Sequence, residues 1–210
     1  MNIIGKPNVG KSTLMNAMVG EKLSIITSKA QTTRHRIHGI VNHDDYQVIF
    51  SDTPGILEPS YKLQETMLKA ARSALVDADI LVYMTEAGDL PDQEDPILQK
   101  VAGMKIPVLL VINKIDTSNQ EQVMKEIEAW DKELPKAEKI PISALKNFNV
   151  EFVFKRILDH LPESPPYYPK DALTDKSERF IVGEMIREKI LLQYKQEVPY
   201  SVEVEIESFK

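Results

Sequence analysis

Two rhythms of apolar residues alternate along the first 160 positions. Met1–Ile4, Ile80–Met84, Val108–Ile112 and Ile140–Ile142 are short apolar runs of strand length. Ile37–Val41 and Gln47–Phe50 are two further strands around the turn-like Asn42-His43-Asp44-Asp45. Between these lie stretches with helical spacing. Ser12–Val19 follows a glycine-containing loop, and Tyr61–Leu75 repeats at Leu63, Met67, Ala70, Ala71 and Ala74. Pro91–Val101 opens on a proline suited to a first helical turn, and Glu121–Leu134 stops before Pro135. Val150–Leu161 gathers Val150, Val153, Phe154, Ile157, Leu158 and Leu161 on one face. Strands alternating with helices predict βαβ units and a mostly parallel sheet covered on both faces.

The rhythm breaks at Leu161–Lys176, where Pro162, Pro165, Pro166 and Pro169 surround Tyr167 and Tyr168. Such a stretch predicts a stiff, extended linker. After it come an amphipathic helix, Phe180–Gln196, and a strand, Tyr200–Glu207, in which Val202, Val204 and Ile206 alternate with Glu203, Glu205 and Glu207. One helix and one strand cannot make a stable sheet, so this second module is expected to be incomplete. The length agrees: 210 residues make one domain of ~150 and a remainder of about 60.

Composition narrows the classes. With 42% hydrophobic and 28% charged residues the chain is not of the disordered type. It has no cysteine, so it has no disulfide frame, thiolate nucleophile or cysteine-held metal. No stretch approaches the ~20 apolar residues of a membrane span. A net charge of −6 gives no global attraction to nucleic acid, so any such contact must be local. The four histidines, His35, His38, His43 and His160, show no metal-ligand spacing.

Chemistry concentrates in four short motifs. Gly5-Lys6-Pro7-Asn8-Val9-Gly10-Lys11-Ser12 fits the phosphate-loop pattern G-x4-G-K-[ST], with Thr13 next in the helix that follows. Its glycines let the backbone wrap phosphate oxygens, and the first N–H groups of the helix point at them. Lys11 adds a positive charge, and the Ser12 hydroxyl is a hard ligand suited to Mg²⁺. Asp52-Thr53-Pro54-Gly55 follows a strand; its acid can reach Mg²⁺ and its glycine N–H a γ-phosphate. Asn113-Lys114-Ile115-Asp116 closes the strand Val108–Ile112. The Asp116 carboxylate can accept from the N1–H and N2 amine of guanine, donors that adenine lacks, while Lys114 can lay its stem over the base. Ser143-Ala144-Leu145 follows a further strand, where the Ala144 N–H could reach guanine O6. Between the first two motifs lies the basic stretch Lys29-Ala30-Gln31-Thr32-Thr33-Arg34-His35-Arg36. Thr33, with Thr32 as the second choice, would complete Mg²⁺ coordination. The basic residues could instead be plain solvated charge or a direct RNA contact.

In this order the motifs resemble the Ras-like GTPase superfamily. The segment Gly20–Arg36, Tyr61-Lys62-Leu63, Leu161-Pro162-Glu163-Ser164-Pro165, Ile186-Arg187-Glu188-Lys189-Ile190 and Glu197-Val198-Pro199-Tyr200-Ser201 resemble the Era-type bacterial GTPases of small ribosomal subunit assembly. The resemblance implies an α/β, three-layer P-loop NTPase (Ras-like GTPase) fold over residues 1–161. It further implies a linker over 162–178 and, over 179–210, the start of an α+β type II KH domain. It implies GTP and GDP as ligands, Mg²⁺ held by Ser12, Thr33 and Asp52, and catalysis involving Lys11, Thr33, Gly55 and Asn8. Ile56 stands where Ras-like proteins often carry a water-orienting glutamine. In relatives lacking that glutamine, an asparagine at the position of Asn8 helps bind K⁺, which is the expectation here.

Family membership further implies small-subunit ribosomal RNA and the small subunit as partners, and cytoplasmic location with peripheral membrane association. DNA is not expected. No G-x-x-G loop, the RNA clamp of KH domains, occurs after Phe180, and residues 165–210 carry 7 basic and 9 acidic side chains. Only four residues precede Gly5, fewer than the first strand of such a domain normally has, so the chain is expected to be clipped at both ends. Three rivals differ from an Era-type switch: another ribosome- or RNA-associated GTPase, a P-loop ATPase or kinase, which Asn113-Lys114-Ile115-Asp116 disfavours, and a GTP-sensing module without turnover.

Overall fold

The computed structural model describes residues 1–29, 32–56, 62–194 and 202–208. Its strands are β1 (Asn2–Gly5), β2 (Ile37–Asn42), β3 (Gln47–Asp52), β4 (Leu81–Glu86), β5 (Val108–Asn113) and β6 (Glu138–Pro141). Its helices are α1 (Lys11–Val19), α2 (Lys62–Ser73), α3 (Pro96–Ala102), α4 (Gln120–Glu133), α5 (Val150–Asp159) and α6 (Glu178–Gln193). The strands form one sheet in the order β2-β3-β1-β4-β5-β6. All neighbours are parallel except β2, which runs antiparallel to β3.

The continuous apolar runs follow from burial on both faces. Successive residues point to opposite sides, so Ile3, Val82, Met84 and Val111 meet Leu14 and Met15 of α1 and Val153 and Ile157 of α5. Ile4, Leu81, Tyr83, Leu110 and Ile112 meet Ile97 and Leu98 of α3 and Trp130 of α4 on the other side. The result is a three-layer α/β/α body with β1 at its centre, and the loops after β1, β3 and β5 open at one edge of the sheet.

Three sequence expectations change. Helix α3 begins at Pro96, not Pro91. Asp95 caps it by accepting from the Ile97 N–H at 2.8 Å, and Asp92 turns the preceding chain by accepting from the Glu94 N–H at 3.0 Å. The predicted strand Tyr200–Glu207 does not form: residues 202–207 are described and pair with no strand, while Tyr200 and Ser201 lie outside the described residues. Helix α6 is not amphipathic in the expected sense. It buries Gly183, Arg187, Glu188 and Leu191 and leaves Met185, Ile186 and Leu192 exposed.

The proline-rich stretch docks along the outer edge of β2. Gln47 accepts from the Tyr167 and Tyr168 N–H groups at 2.8 and 3.0 Å, and Asn42 donates to the Ala172 carbonyl at 2.8 Å. The Ile40 N–H donates to Leu173 O at 2.9 Å, and Thr174 forms a bridge with Gly39. An edge that would otherwise offer unpaired backbone groups is thereby covered.

Candidate nucleotide site

The phosphate loop follows β1 because that strand lies between two parallel neighbours and must end abruptly. Gly5 turns out of the sheet at φ 154°, and a Cβ there would stand 2.2 Å from the Met84 carbonyl. Gly10, at φ 104°, opens α1, and a Cβ there would stand 2.3 Å from the Asn113 side-chain nitrogen. Both positions therefore demand glycine. Val9 is buried beneath the loop. Lys6 points away and pairs with Asp89 at 2.9 Å, while Pro7 packs against Gly55.

Lys11 is curled back under its own loop, its ammonium donating to Gly5 O at 3.1 Å and Lys6 O at 2.7 Å. Burial lowers its pKa to about 8, with the nearby Asp52 charge pulling the other way. Asp52, at the end of β3, is fully buried. Burial raises its pKa, opposed by the Ser12 hydroxyl and by Lys11. The Ser12 hydroxyl donates to Asp52 Oδ2 at 2.6 Å and lies 3.0 Å from Thr33 Oγ1. Asp52 Oδ1 is buried without a hydrogen-bond partner. Thr32 instead turns its hydroxyl into its own loop, 2.6 Å from both Lys29 O and Thr27 Oγ1. The geometry thus brings Ser12, Thr33 and Asp52 together and leaves Thr32 out. An unsatisfied buried carboxylate oxygen beside two hydroxyls is a donor set that fits a hard, oxygen-seeking cation.

The Asp52-Thr53-Pro54-Gly55 turn is fastened to the phosphate loop. Thr53 donates to Ile3 O at 2.8 Å, Pro54 is buried, and the Ile56 N–H donates to Gly5 O at 3.1 Å. Asn8, at φ 64°, donates its amide to Ser28 O at 3.1 Å.

The base end is built after β5. Lys114 sits at φ 62° and pairs with Glu86, and Asp116 is exposed in a single 3-10 turn, Ile115–Thr117. Asp116 accepts from the Ser143 hydroxyl at 2.6 Å. Asn113 is the tie among three loops: it donates to Val9 O at 2.7 Å and accepts from the Ala144 N–H at 2.9 Å. That last bond places Ala144, the residue expected near the base, directly on the Asn113 side chain. Leu145 stands 76% exposed at the rim.

These residues surround one cleft of about 550 Å³, lined by Pro7, Gly10–Thr13, Thr33, Gly55, Asn113, Lys114, Asp116 and Leu145, among others. Ile25, Ile26, Thr27, Ser28 and Thr117 also line it; the first four lie within the Gly20–Arg36 resemblance but were given no site role of their own, and Thr117 follows directly on Asp116. The basic side chains of the stretch are engaged within the chain. Arg36 binds Asp77, Ser51 and Asn2, Arg34 donates to Val202 O at 2.7 Å, and Lys29 donates to Tyr194 O. Ala30 and Gln31 lie outside the described residues.

One end of the cleft offers a lysine and helix N–H groups to phosphates, and the other an exposed carboxylate to a base with two adjacent donors. The class so defined is a P-loop GTPase. Residues 1–114 match the family described as 50S ribosome-binding GTPase. GTPase Era of Clostridium novyi is 46% identical over 211 residues, covering all of this chain and 72% of that protein. GTPase Era of Clostridium perfringens is 44% identical, with 100% and 71% covered. The crystal structure of Era with MgGDPNP and nucleotides 1506–1542 of 16S ribosomal RNA superposes with a TM-score of 0.88 at 40% identity, over 95% of this chain and 68% of that one. The chain belongs to the Era GTPase family and is a GTP-hydrolysing enzyme. No helix of the described residues is long and apolar enough to cross a membrane.

Proposed function

We propose that this chain is a Mg²⁺-dependent, K⁺-assisted GTP switch that acts on small-subunit ribosomal RNA during assembly of the small subunit. The observation that carries the metal assignment is the meeting of Ser12 Oγ with Thr33 Oγ1 and with Asp52, whose second oxygen is buried and unpartnered. Bound there, Mg²⁺ supplies charge neutralisation for the β- and γ-phosphate oxygens. Lys11, released from the Gly5 and Lys6 carbonyls, extends to the same oxygens. The N–H groups opening α1 and the Gly55 N–H hold the γ-phosphate while water attacks its phosphorus and the bond to the bridging oxygen of GDP breaks.

Ile56 cannot orient that water. Asn8 donates its amide N–H to the Ser28 carbonyl, which ties the phosphate loop to the loop after α1; the asparagine amide also carries an oxygen that can serve a cation. That supports K⁺ as the source of the missing positive charge. The RNA role rests on the family and on the RNA in the Era complex named above. Residues 179–210 are the start of a KH module on this reading. A peripheral association with the membrane would have to be made by surface contacts.

Single-turnover GTP hydrolysis in matched KCl and NaCl buffers tests the proposal. A faster rate in KCl is expected, and equal rates would remove the K⁺ role. Binding of a 16S 3′-end RNA fragment should be tighter with a GTP analogue than with GDP, and equal binding would remove the switch.

A further inference from the structure

Helix α6 buries charge and exposes apolar surface. Arg187 and Glu188 are 2% and 3% exposed, whereas Ile186 and Leu192 are 41% and 55% exposed. Burying charged groups is costly unless each is paired and hydrogen-bonded. Both find partners in the chain segment that follows α1. Glu188 accepts from Lys22 Nζ at 2.6 Å and from the Ile26 N–H at 3.0 Å. Arg187 forks onto Glu184, at 2.7 and 2.5 Å, and its Nη2 also donates to the Thr32 carbonyl at 2.5 Å. The third nitrogen, Nη1, is buried without a hydrogen-bond partner. An arginine held this way is a poor packing residue, since an apolar side chain of similar length would stabilise more.

The next residue after Thr32 is Thr33, whose hydroxyl lies 3.0 Å from that of Ser12. Residues 32–35 belong to no helix or strand, so no ladder of backbone bonds fixes them. We infer that Arg187 and Glu188 are positioning residues of the nucleotide site. By holding the Thr32 carbonyl and the Ile26 N–H, α6 sets the Thr33 hydroxyl beside Ser12 and Asp52. This rests on the magnesium assignment proposed above. It also gives the fork a reason: a lysine ammonium has no planar pair of N–H groups to clasp both Glu184 oxygens while reaching the Thr32 carbonyl, so lysine is not equivalent here.

The test uses the 210-residue chain and the Mg²⁺ concentration that half-maximally slows release of a fluorescent GTP analogue. The double variant Glu184→Gln/Arg187→Met removes both charges together and leaves neither unpaired. It should raise the required Mg²⁺ about tenfold, the size expected for losing one charge-assisted bond. Its GDP affinity in EDTA should stay within about twofold, and amide exchange of residues 26–33 should quicken. A purely structural role would weaken both nucleotides alike, and that outcome overturns the inference. Arg187→Lys keeps the charge opposite Glu184 and so preserves folding; it should raise the Mg²⁺ requirement by a smaller factor, and an unchanged requirement overturns the inference even if the double variant does not fold. Thr33→Ala in the same assay separates the two levels. If Thr33→Ala shifts the Mg²⁺ requirement and the α6 variants do not, α6 is not the brace. If Thr33→Ala does not shift it, the magnesium assignment fails and the inference with it.

Discussion

Replacing Asn113 by alanine should unfasten the site without touching a phosphate. The side chain is 3% exposed and makes two bonds, to Val9 O at 2.7 Å and from the Ala144 N–H at 2.9 Å. Truncation leaves a carbonyl and an N–H buried and unpartnered, since Val9 and Ala144 are themselves only 1% and 5% exposed. At ~1–3 kcal/mol for each buried group left unsatisfied, the loss is about 2–4 kcal/mol after partial relaxation. For a chain of this size that lowers the melting temperature by roughly 5–15 °C. The assay is thermal unfolding of the nucleotide-free chain, followed by GDP titration. Asn113→Asp sharpens it. The isosteric carboxylate still accepts from Ala144 but faces the Val9 carbonyl with no donor, so it should destabilise at least as much as alanine. If either variant weakens GDP binding while the nucleotide-free melting temperature is unchanged, Asn113 acts on the nucleotide and not on the loops, and the reasoning is wrong.

Lys11 gives a pH dependence. Its pKa is about 8 in the free site, below the ordinary 10.5, and a bound phosphate favours the charged form. GDP binding should therefore take up a proton above pH 8, and affinity should fall as pH rises, by up to about tenfold per unit. Calorimetry in two buffers of different ionisation heat measures the uptake, and none at pH 9 would contradict the burial. The same depressed pKa means the unfolded chain holds more protons between pH 8 and 10.5, so Lys11's contribution to nucleotide-free stability rises across that window. Gly10→Ala places a Cβ 2.3 Å from the Asn113 nitrogen at φ 104° and should abolish tight GDP binding, checked by equilibrium titration. Asp116→Asn should move preference from guanine to xanthine nucleotides in a competition assay, because the amide can donate where the carboxylate could only accept.

The parts of the molecule that were legible in sequence are those where chemistry and geometry coincide. Gly5 and Gly10 are dictated by backbone approach. Asp52 and Asn113 sit at the ends of strands whose apolar runs are unmistakable. What was hidden depends on contacts between distant segments. The burial of Arg187 and Glu188 was not legible, because nothing local shows that Ile26 and Thr32 will meet them. The same distance hid the partners of Lys29, Arg34 and Arg36, which looked like an uncompensated basic loop. The start of α3 was misplaced because Pro91 and Pro96 are equally good first-turn prolines; only the turn at Asp92 and the cap of Asp95 decide between them. The failed strand at 202–207 shows that a period of two is a condition for a sheet position and does not supply a partner.

The covering of β2 has a consequence in time. The groups that close its outer edge arrive about 130 residues after the strand itself, as Asn42 and Ala172 are 130 apart in the chain. At 5–20 residues per second of synthesis, the edge stays open for roughly 7–26 s on every newly made chain. During that interval it is the place where one nascent copy can pair with another. The prolines around Tyr167 and Tyr168 shorten the hazard's last stage, since a segment already extended needs little further ordering to lie down along the strand.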